Sequence, residues 1–219
     1  MTVTSVSEVR SSVFRLSVPV VLGLTVLAAT ALHATLTFGS PTPWIVPDEL
    51  IYSELAKSIA EGDLPAIRGE TSFDYGIGYP ALLAPIWAAF EDVGTAYAVA
   101  KVFNALLLSL TAIPMYFLAR RFVIGAHALV AAALSVAVPS MVYAGTLMTE
   151  VALYPAFVLA LLSMARAYER PTRTTQALAI GSIAAACAIK ALAVTLVPAY
   201  VAGILVFHWL DTGDRSRWR

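Results

Sequence analysis

Long apolar stretches, each near the length of a membrane crossing, recur along the chain between short polar segments. A transmembrane helix needs about 20 apolar residues, with a range of about 17–25. The pattern predicts four such helices, at residues 14–36, 96–118, 124–143 and 151–167. Residues 174–210 are too many for one tilted helix and suit two short helices that turn at Lys190. We therefore predict six crossings.

The composition agrees with an all-α integral membrane protein. Of the 219 residues, 59% are hydrophobic and 13% are charged, with a mean hydropathy of +0.80. Soluble domains are about half apolar and about a quarter charged. The formal net charge of zero argues against a nucleic-acid partner. The single cysteine, Cys187, lies in an apolar run, which excludes an intramolecular disulfide and argues against a cysteine-based metal site.

The basic residues favour six crossings over five. With the N-terminus in the cytoplasm, six crossings place ten of the fourteen Lys and Arg residues inside, as the positive-inside rule expects: Arg10, Arg15, Arg120, Arg121, Arg166, Arg170, Arg173, Arg215, Arg217 and Arg219. Five crossings would place the basic tail outside. We expect residues 1–13 to form a cytoplasmic N-terminus, residues 14–210 the transmembrane domain, and residues 211–219 a cytoplasmic tail or a truncation point.

The same alternation places the long segment 37–95 outside the membrane. It carries nine of the fourteen acidic residues: Asp48, Glu49, Glu54, Glu61, Asp63, Glu70, Asp74, Glu91 and Asp92. A connection of this length is usually functional or disordered, and its many aromatic and aliphatic residues disfavour disorder. We therefore expect an ordered, functional outer loop.

Two short helices are predicted within this loop. Pro47 followed by two acids is typical of a helix start, and apolar residues then recur at helical spacing as far as Gly62. This pattern suits a helix that lies along the membrane surface. A second surface or re-entrant helix is predicted at residues 80–90.

The adjacent acids Asp48 and Glu49 are the first candidates for chemistry. Neighbouring side chains on a helix point about 100° apart, so we do not expect the two to share one task. One would face a cavity while the other braces the backbone or a basic neighbour. The alternative is a helix N-cap with a solvated first-turn acid.

Further ionisable residues are predicted at the same outer level as Asp48. Lys190 lies between apolar runs, where a charge is costly unless it faces water, a partner or a ligand; snorkelling to the headgroups is the alternative. Lys101 and Glu150 fall near the outer ends of their spans. Acids and bases at one depth predict a polar cavity for an anionic ligand. The three histidines share no spacing that predicts a metal site: His33, His127 and His208.

Several short motifs resemble the N-terminal half of the GT-C membrane glycosyltransferases, in particular the protein O-mannosyltransferase and lipid A aminoarabinose transferase group. The resemblance spans roughly residues 14–207. It is carried by Pro47-Asp48-Glu49, Gly78-Tyr79-Pro80 leading to Pro85, Lys101-Val-Phe-Asn104 and Ala119-Arg-Arg121. It implies an inverting glycosyltransferase that moves a sugar from a polyprenyl-phosphate carrier to an acceptor. The expected location is the plasma (inner) membrane, with the active side outward.

The resemblance also implies roles for individual residues. Asp48 would be the catalytic base that takes or orients the acceptor's proton, and Glu49 its partner. Two lysines would contact the donor phosphate, Lys190 and, more loosely, Lys101. Three further residues would line the cavity: Glu150, Tyr79 and Asn104. The resemblance leaves open whether a divalent cation binds near Asp48.

Complete members of that family have further helices and usually a soluble C-terminal portion. We therefore expect a half-site here, in a chain that acts alone or with a second chain that completes the fold. The other expected partners are the lipid bilayer and the polyprenyl-phosphate-linked donor. The alternative function is a non-catalytic membrane module that binds carrier lipid or serves as a transporter subunit. The sequence identifies neither the sugar nor the acceptor.

Overall fold

The computed structural model describes residues 17–38 and 46–216, with side chains to residue 210, and in this part the chain is almost entirely helical. The predicted all-α class is therefore confirmed. The helices are α1 (Val18–Thr37), α2 (Pro47–Ala60), α3 (Gly78–Ala89), α4 (Val93–Ser109), α5 (Ala112–Ala119), α6 (Gly125–Ser135), α7 (Glu150–Glu169), α8 (Arg173–Ile189) and α9 (Leu196–Ser216). The predicted N-terminal segment 1–13 and residues 217–219 of the predicted tail lie outside the described residues.

Among the described residues, four helical segments are long and apolar enough to cross a membrane. They are Val18–Thr37, Val93–Ala119, Glu150–Glu169 and Ala191–Leu210. A fifth results if α6 and the 3₁₀ segment Pro139–Gly145, bent by 50°, count as one span. The bend arises where Pro139 disfavours helical backbone in the preceding residue. α8 has 17 residues, the lower limit for a crossing, so the count of six stays a prediction.

The prediction of two short helices after the first span is confirmed by α2 and α3, and their place on the outer side stays a prediction. α2 begins at Pro47, where the missing N–H costs nothing. It ends in a Schellman motif at Gly62, whose φ of +86° suits glycine. With 14 and 12 residues, both helices are too short to cross a bilayer.

A small β-hairpin joins the two loop helices. Its strands are β1 (Ala66–Ile67) and β2 (Glu70–Thr71), paired antiparallel. The two turn residues, Arg68 and Gly69, have φ values of 52° and 85°, as a tight hairpin turn requires. The Arg68 N–H donates to Glu54 Oε2 at 2.8 Å, so this turn is tied to α2.

α4 lies at the centre of the bundle and packs against α1, α3 and α7. Its alanines at 96, 100 and 105 are fully buried, which lets neighbouring backbones approach closely. α7 pairs closely with α8. One end of the bundle carries the ion pair between Glu150 and Lys190, and the other carries the ion pair between Arg121 and Glu169. The 20 residues of α7 separate these ends by about 30 Å.

The predicted turn at Lys190 is present. α8 ends at Ile189, and Lys190 has extended backbone angles, φ −150° and ψ 122°. A short 3₁₀ segment, Ala191–Thr195, then leads into α9. The Tyr200 hydroxyl on α9 donates to Gln176 Oε1 on α8, which links the two helices on either side of the turn.

Candidate active site

The two acids at the start of α2 point in different directions. Glu49 is fully buried, and its carboxylate accepts hydrogen bonds from the Tyr97 hydroxyl and, at 3.2 Å, from the Val46 N–H. It therefore ties the first turn of α2 to α4. Asp48 is partly exposed on another side of the same turn. Glu49 thus braces the backbone, and the expectation that Asp48 faces a cavity stays a prediction.

Lys101 belongs to the same interior region as Glu49. Its side chain is 3% exposed, and Nζ donates to the Thr37 carbonyl at 3.2 Å. Nζ also lies 5.0 Å from the centroid of the Tyr97 ring and interacts electrostatically with Glu49. Lys101 thus helps to join α1, α2 and α4 in the interior. Its predicted contact with donor phosphate stays a prediction.

Tyr79 and Asn104 form a second buried link. Both side chains are fully buried. The Tyr79 hydroxyl donates to Asn104 Oδ1 at 3.0 Å, and Asn104 Nδ2 donates to the Thr146 carbonyl at 2.8 Å. The pair therefore connects α3, α4 and the loop before α7, and in this structure the two side chains lie in the interior and do not border open space.

The accessible charges gather at Lys190. Its Nζ lies 2.5 Å from Glu150 Oε1, and the side chains are 34% and 30% exposed respectively. The Thr149 hydroxyl donates to the other Glu150 oxygen at 3.2 Å. Glu150 opens α7 and Lys190 follows α8, so the pair joins two elements that are 40 residues apart.

Tyr52, one helical turn after Asp48 on α2, interacts electrostatically with Asp48 and with both members of this ion pair, although the sequence reasoning did not single it out. Burial raises the pKa of the Tyr52 hydroxyl, which Thr149 hydrogen-bonds and on which Asp48, Lys190 and Glu150 all act electrostatically. Tyr52 thus relates Asp48 to Glu150 and Lys190, and the predicted cavity at a common depth stays a prediction. Tyr52 is four residues beyond Asp48, a spacing that places both on one helix face and that could have identified it.

Two glycines position the segment that carries Lys190. A Cβ on Gly76 would lie 2.1 Å from the Ile189 carbonyl oxygen, and a Cβ on Gly78 would lie 3.0 Å from the Ala188 carbonyl carbon. The turn before α3 therefore packs backbone against backbone on the end of α8. The Gly-Ile-Gly sequence at 76–78 is the signal for this close approach.

An apolar groove begins at Glu150. It has a volume of about 240 Å³ and is lined by Leu108, Ser140, Tyr143, Glu150, Leu153, Tyr154 and Phe157. These residues belong to α4, the segment Pro139–Gly145 and α7. Glu150 lies at the boundary between the charged cluster and a surface suited to a hydrocarbon chain.

The residues near Asp48 do not form a donor set for a metal ion. In the described part of the chain, no three His, Cys, Asp or Glu side chains come together as a metal site would require. His33 is buried on α1 with Nε2 2.9 Å from the Val136 carbonyl oxygen, so its contact is a structural one.

A protein-family model described as dolichyl-phosphate-mannose-protein mannosyltransferase matches residues 79–215, more than half of the chain. The match includes Glu150 and Lys190 and begins after α2. No curated protein and no solved structure matches the chain.

Proposed function

Because the chain belongs to the dolichyl-phosphate-mannose-protein mannosyltransferase family, we propose that it is an inverting glycosyltransferase whose site is the cluster of Asp48, Tyr52, Glu150 and Lys190. The family indicates a multi-pass membrane glycosyltransferase that uses a polyprenyl-phosphate sugar donor. The observation that carries the proposal is the partly exposed Glu150–Lys190 ion pair, together with Asp48 and Tyr52 one helical turn apart on α2. This cluster combines a candidate base with a candidate anion-binding cation.

Asp48 is the proposed general base. It takes the proton of an acceptor hydroxyl as that oxygen attacks the anomeric carbon from the side opposite the phosphate, which inverts the sugar carbon. Asp48 is held for this role by its neighbour, since Glu49 anchors the same helical turn on Tyr97. Glu49 is therefore a positioning residue.

Lys190 is the proposed contact to the donor phosphate. When the bond between sugar and phosphate breaks, negative charge grows on the departing phosphate, and an ammonium fixed beside it stabilises that charge. Glu150 keeps the Lys190 side chain directed toward the cluster before the donor binds. Partial exposure of both side chains lets the phosphate take the place of the carboxylate.

The apolar groove beside Glu150 is the proposed seat of the first part of the isoprenoid chain. A polyprenyl phosphate needs a charged contact for its phosphate and an apolar surface directly next to that contact for its chain. Glu150 borders both the ion pair with Lys190 and the apolar groove. A divalent cation has no suitable set of three donors in the described part of the chain, so no step is assigned to one.

We propose that the site faces outward from the plasma membrane. Support comes from the charge distribution: the described arginines at the α5–α6 turn and the α7–α8 turn lie at the end of the bundle opposite Lys190. The positive-inside rule assigns that basic end to the cytoplasm.

The decisive experiment uses membranes that contain the full chain. It measures the rate at which they release dolichyl phosphate from dolichyl-phosphate mannose, or undecaprenyl phosphate from its sugar conjugates. Asp48→Asn should lower the rate by about 10²–10⁴-fold with unchanged expression, because a positioned base contributes that much. The matched control is Asp63→Asn, an exposed acid of the same loop, which should leave the rate unchanged. If Asp48→Asn released polyprenyl phosphate at the wild-type rate, the proposal would be wrong. If wild type and Asp48→Asn both bound the lipid but neither released it, a non-catalytic module would be favoured.

A further inference from the structure

The turn between α5 and α6, at the end of the bundle opposite the candidate site, forms a basic pocket. It opens outward, has a volume of about 680 Å³ and is lined by Arg120, Arg121, Phe122, Val123, Ile124 and His127. None of these residues takes part in the proposed transfer reaction. About 30 Å of helix, the thickness of a bilayer's hydrocarbon core, separates the pocket from Glu150.

The positive charge of this pocket is only partly compensated. Arg121 donates to Glu169 at 3.2–3.3 Å, so one arginine is paired. Arg120 has no ion-pair or hydrogen-bond partner among the described residues, and its Nη1 lies 2.9 Å from the position that a Cβ on Gly125 would take. The guanidinium therefore packs directly against the first residue of α6.

The start of α6 adds to the positive potential. A helix N-terminus carries about half a positive charge and free N–H groups. No side chain caps α6, and its first turn contains no acid. Arg120 and the start of α6 therefore place two sources of positive potential side by side at the surface. Phosphate suits this arrangement, because arginine donates to two of its oxygens at once.

The apolar residues of the same turn indicate where that phosphate comes from. Phe122 is 79% exposed and Ile124 is 68% exposed, beside the two arginines. Such side chains are costly in water and favourable in the acyl region just below the headgroups. Because the turn lies one bilayer thickness from Glu150, its arginines lie at headgroup depth when these side chains enter the acyl region.

From these observations we infer that the α5–α6 turn binds the headgroup of an anionic phospholipid, with the exposed guanidinium of Arg120 donating to its phosphate. Phe122 and Ile124 contact the acyl chains. The pocket is separate from the donor site and anchors the opposite end of the bundle in its own leaflet.

The test measures lipid adducts on the purified full chain by native mass spectrometry, with phosphatidylglycerol and phosphatidylcholine as probes. Wild type should prefer phosphatidylglycerol, and Arg120→Gln should weaken its binding by about fivefold, as expected for one interfacial cation. Arg173→Gln is the matched control, because it removes an exposed arginine from the same end outside the pocket. Equal losses in the two variants, or no preference between the lipids, would overturn the inference.

A second variant, Gly125→Asp, tests the same pocket without removing an arginine. Its carboxylate would lie beside Arg120 in the first turn of α6, where it can pair with that guanidinium and interacts favourably with the helix dipole. Phosphatidylglycerol binding should fall while the apparent Tm rises, a pair of changes that misfolding cannot produce. Unchanged binding would contradict the inference, and so would displacement of the lipid from wild type by millimolar inorganic phosphate, which would indicate a free-anion site.

Discussion

Replacing Gly76 with alanine should disturb the candidate site without touching any charged residue. The new Cβ would lie 2.1 Å from the Ile189 carbonyl oxygen and 2.7 Å from its carbonyl carbon, far below the 3.0 Å that real Cβ contacts respect. Both obstacles are backbone atoms, so no side-chain rotation relieves the clash. The end of α8 must move by about 1 Å, at a cost of about 1–3 kcal/mol.

Lys190 is the next residue after Ile189, so its ammonium moves with the displaced backbone. A misplacement of about 1 Å at a catalytic group can lower the rate by about 10²-fold. Gly76→Ala should therefore slow polyprenyl-phosphate release by about that factor and lower the apparent Tm in detergent. Gly181→Ala is the matched control, since it lies within α8 itself and its Cβ meets no atom within 4 Å.

A double-mutant cycle with Lys190→Gln separates this mechanism from general loss of stability. If Gly76 acts through Lys190, the double variant should be no slower than Lys190→Gln alone. Additive losses, or a wild-type rate in Gly76→Ala, would refute the reasoning.

Two further variants test hydrogen bonds that hold α2 and α4 in place around the site. Glu49→Ala removes the acceptor for the Tyr97 hydroxyl and the Val46 N–H, and should lower the free energy of unfolding by about 1–3 kcal/mol, visible as a lower apparent Tm; an unchanged Tm would contradict the bracing role. At the start of α4, the hydroxyl and N–H of Thr95 hold the pKa of Asp92 below its usual range. The stability from this cap is therefore present above the usual pKa and lost as the pH falls through the folded-state pKa, so the Tm difference between wild type and Asp92→Ala should shrink as the pH falls below the usual pKa of aspartate. A difference that is independent of pH would exclude this account.

Helix positions were predictable because their causes are local. Apolar runs, the proline before two acids at Pro47, and Gly62 with its positive φ each act within a few residues. The turn at Lys190 followed from length alone, since residues 174–210 exceed one crossing. The kink before Pro139 was missed, although proline is the local signal for it, because apolar character continues across it.

The features that escaped sequence reasoning depend on contacts between distant segments. The hairpin strands have two residues each, too few to show an alternating pattern, and the positive φ of Arg68 is supported by Glu54 fourteen residues earlier. The sequence did predict that the side chains of Asp48 and Glu49 point in different directions. Which one becomes buried depends on Tyr97, 48 residues away, and no pattern within α2 contains that information.

The Glu150–Lys190 ion pair also bears on the order in which the protein is assembled. α2 leaves the ribosome early, with Asp48 and Glu49 already in place on its first turn. Lys190 emerges much later, after α7 and most of α8 have been synthesised. Asp48 and Glu150 are therefore synthesised before Lys190, and Glu150 has no ion-pair partner at that position until the last helical hairpin inserts. A nascent chain arrested before that hairpin would lack Lys190, so under the proposed mechanism the binding of polyprenyl phosphate would report that the hairpin has inserted.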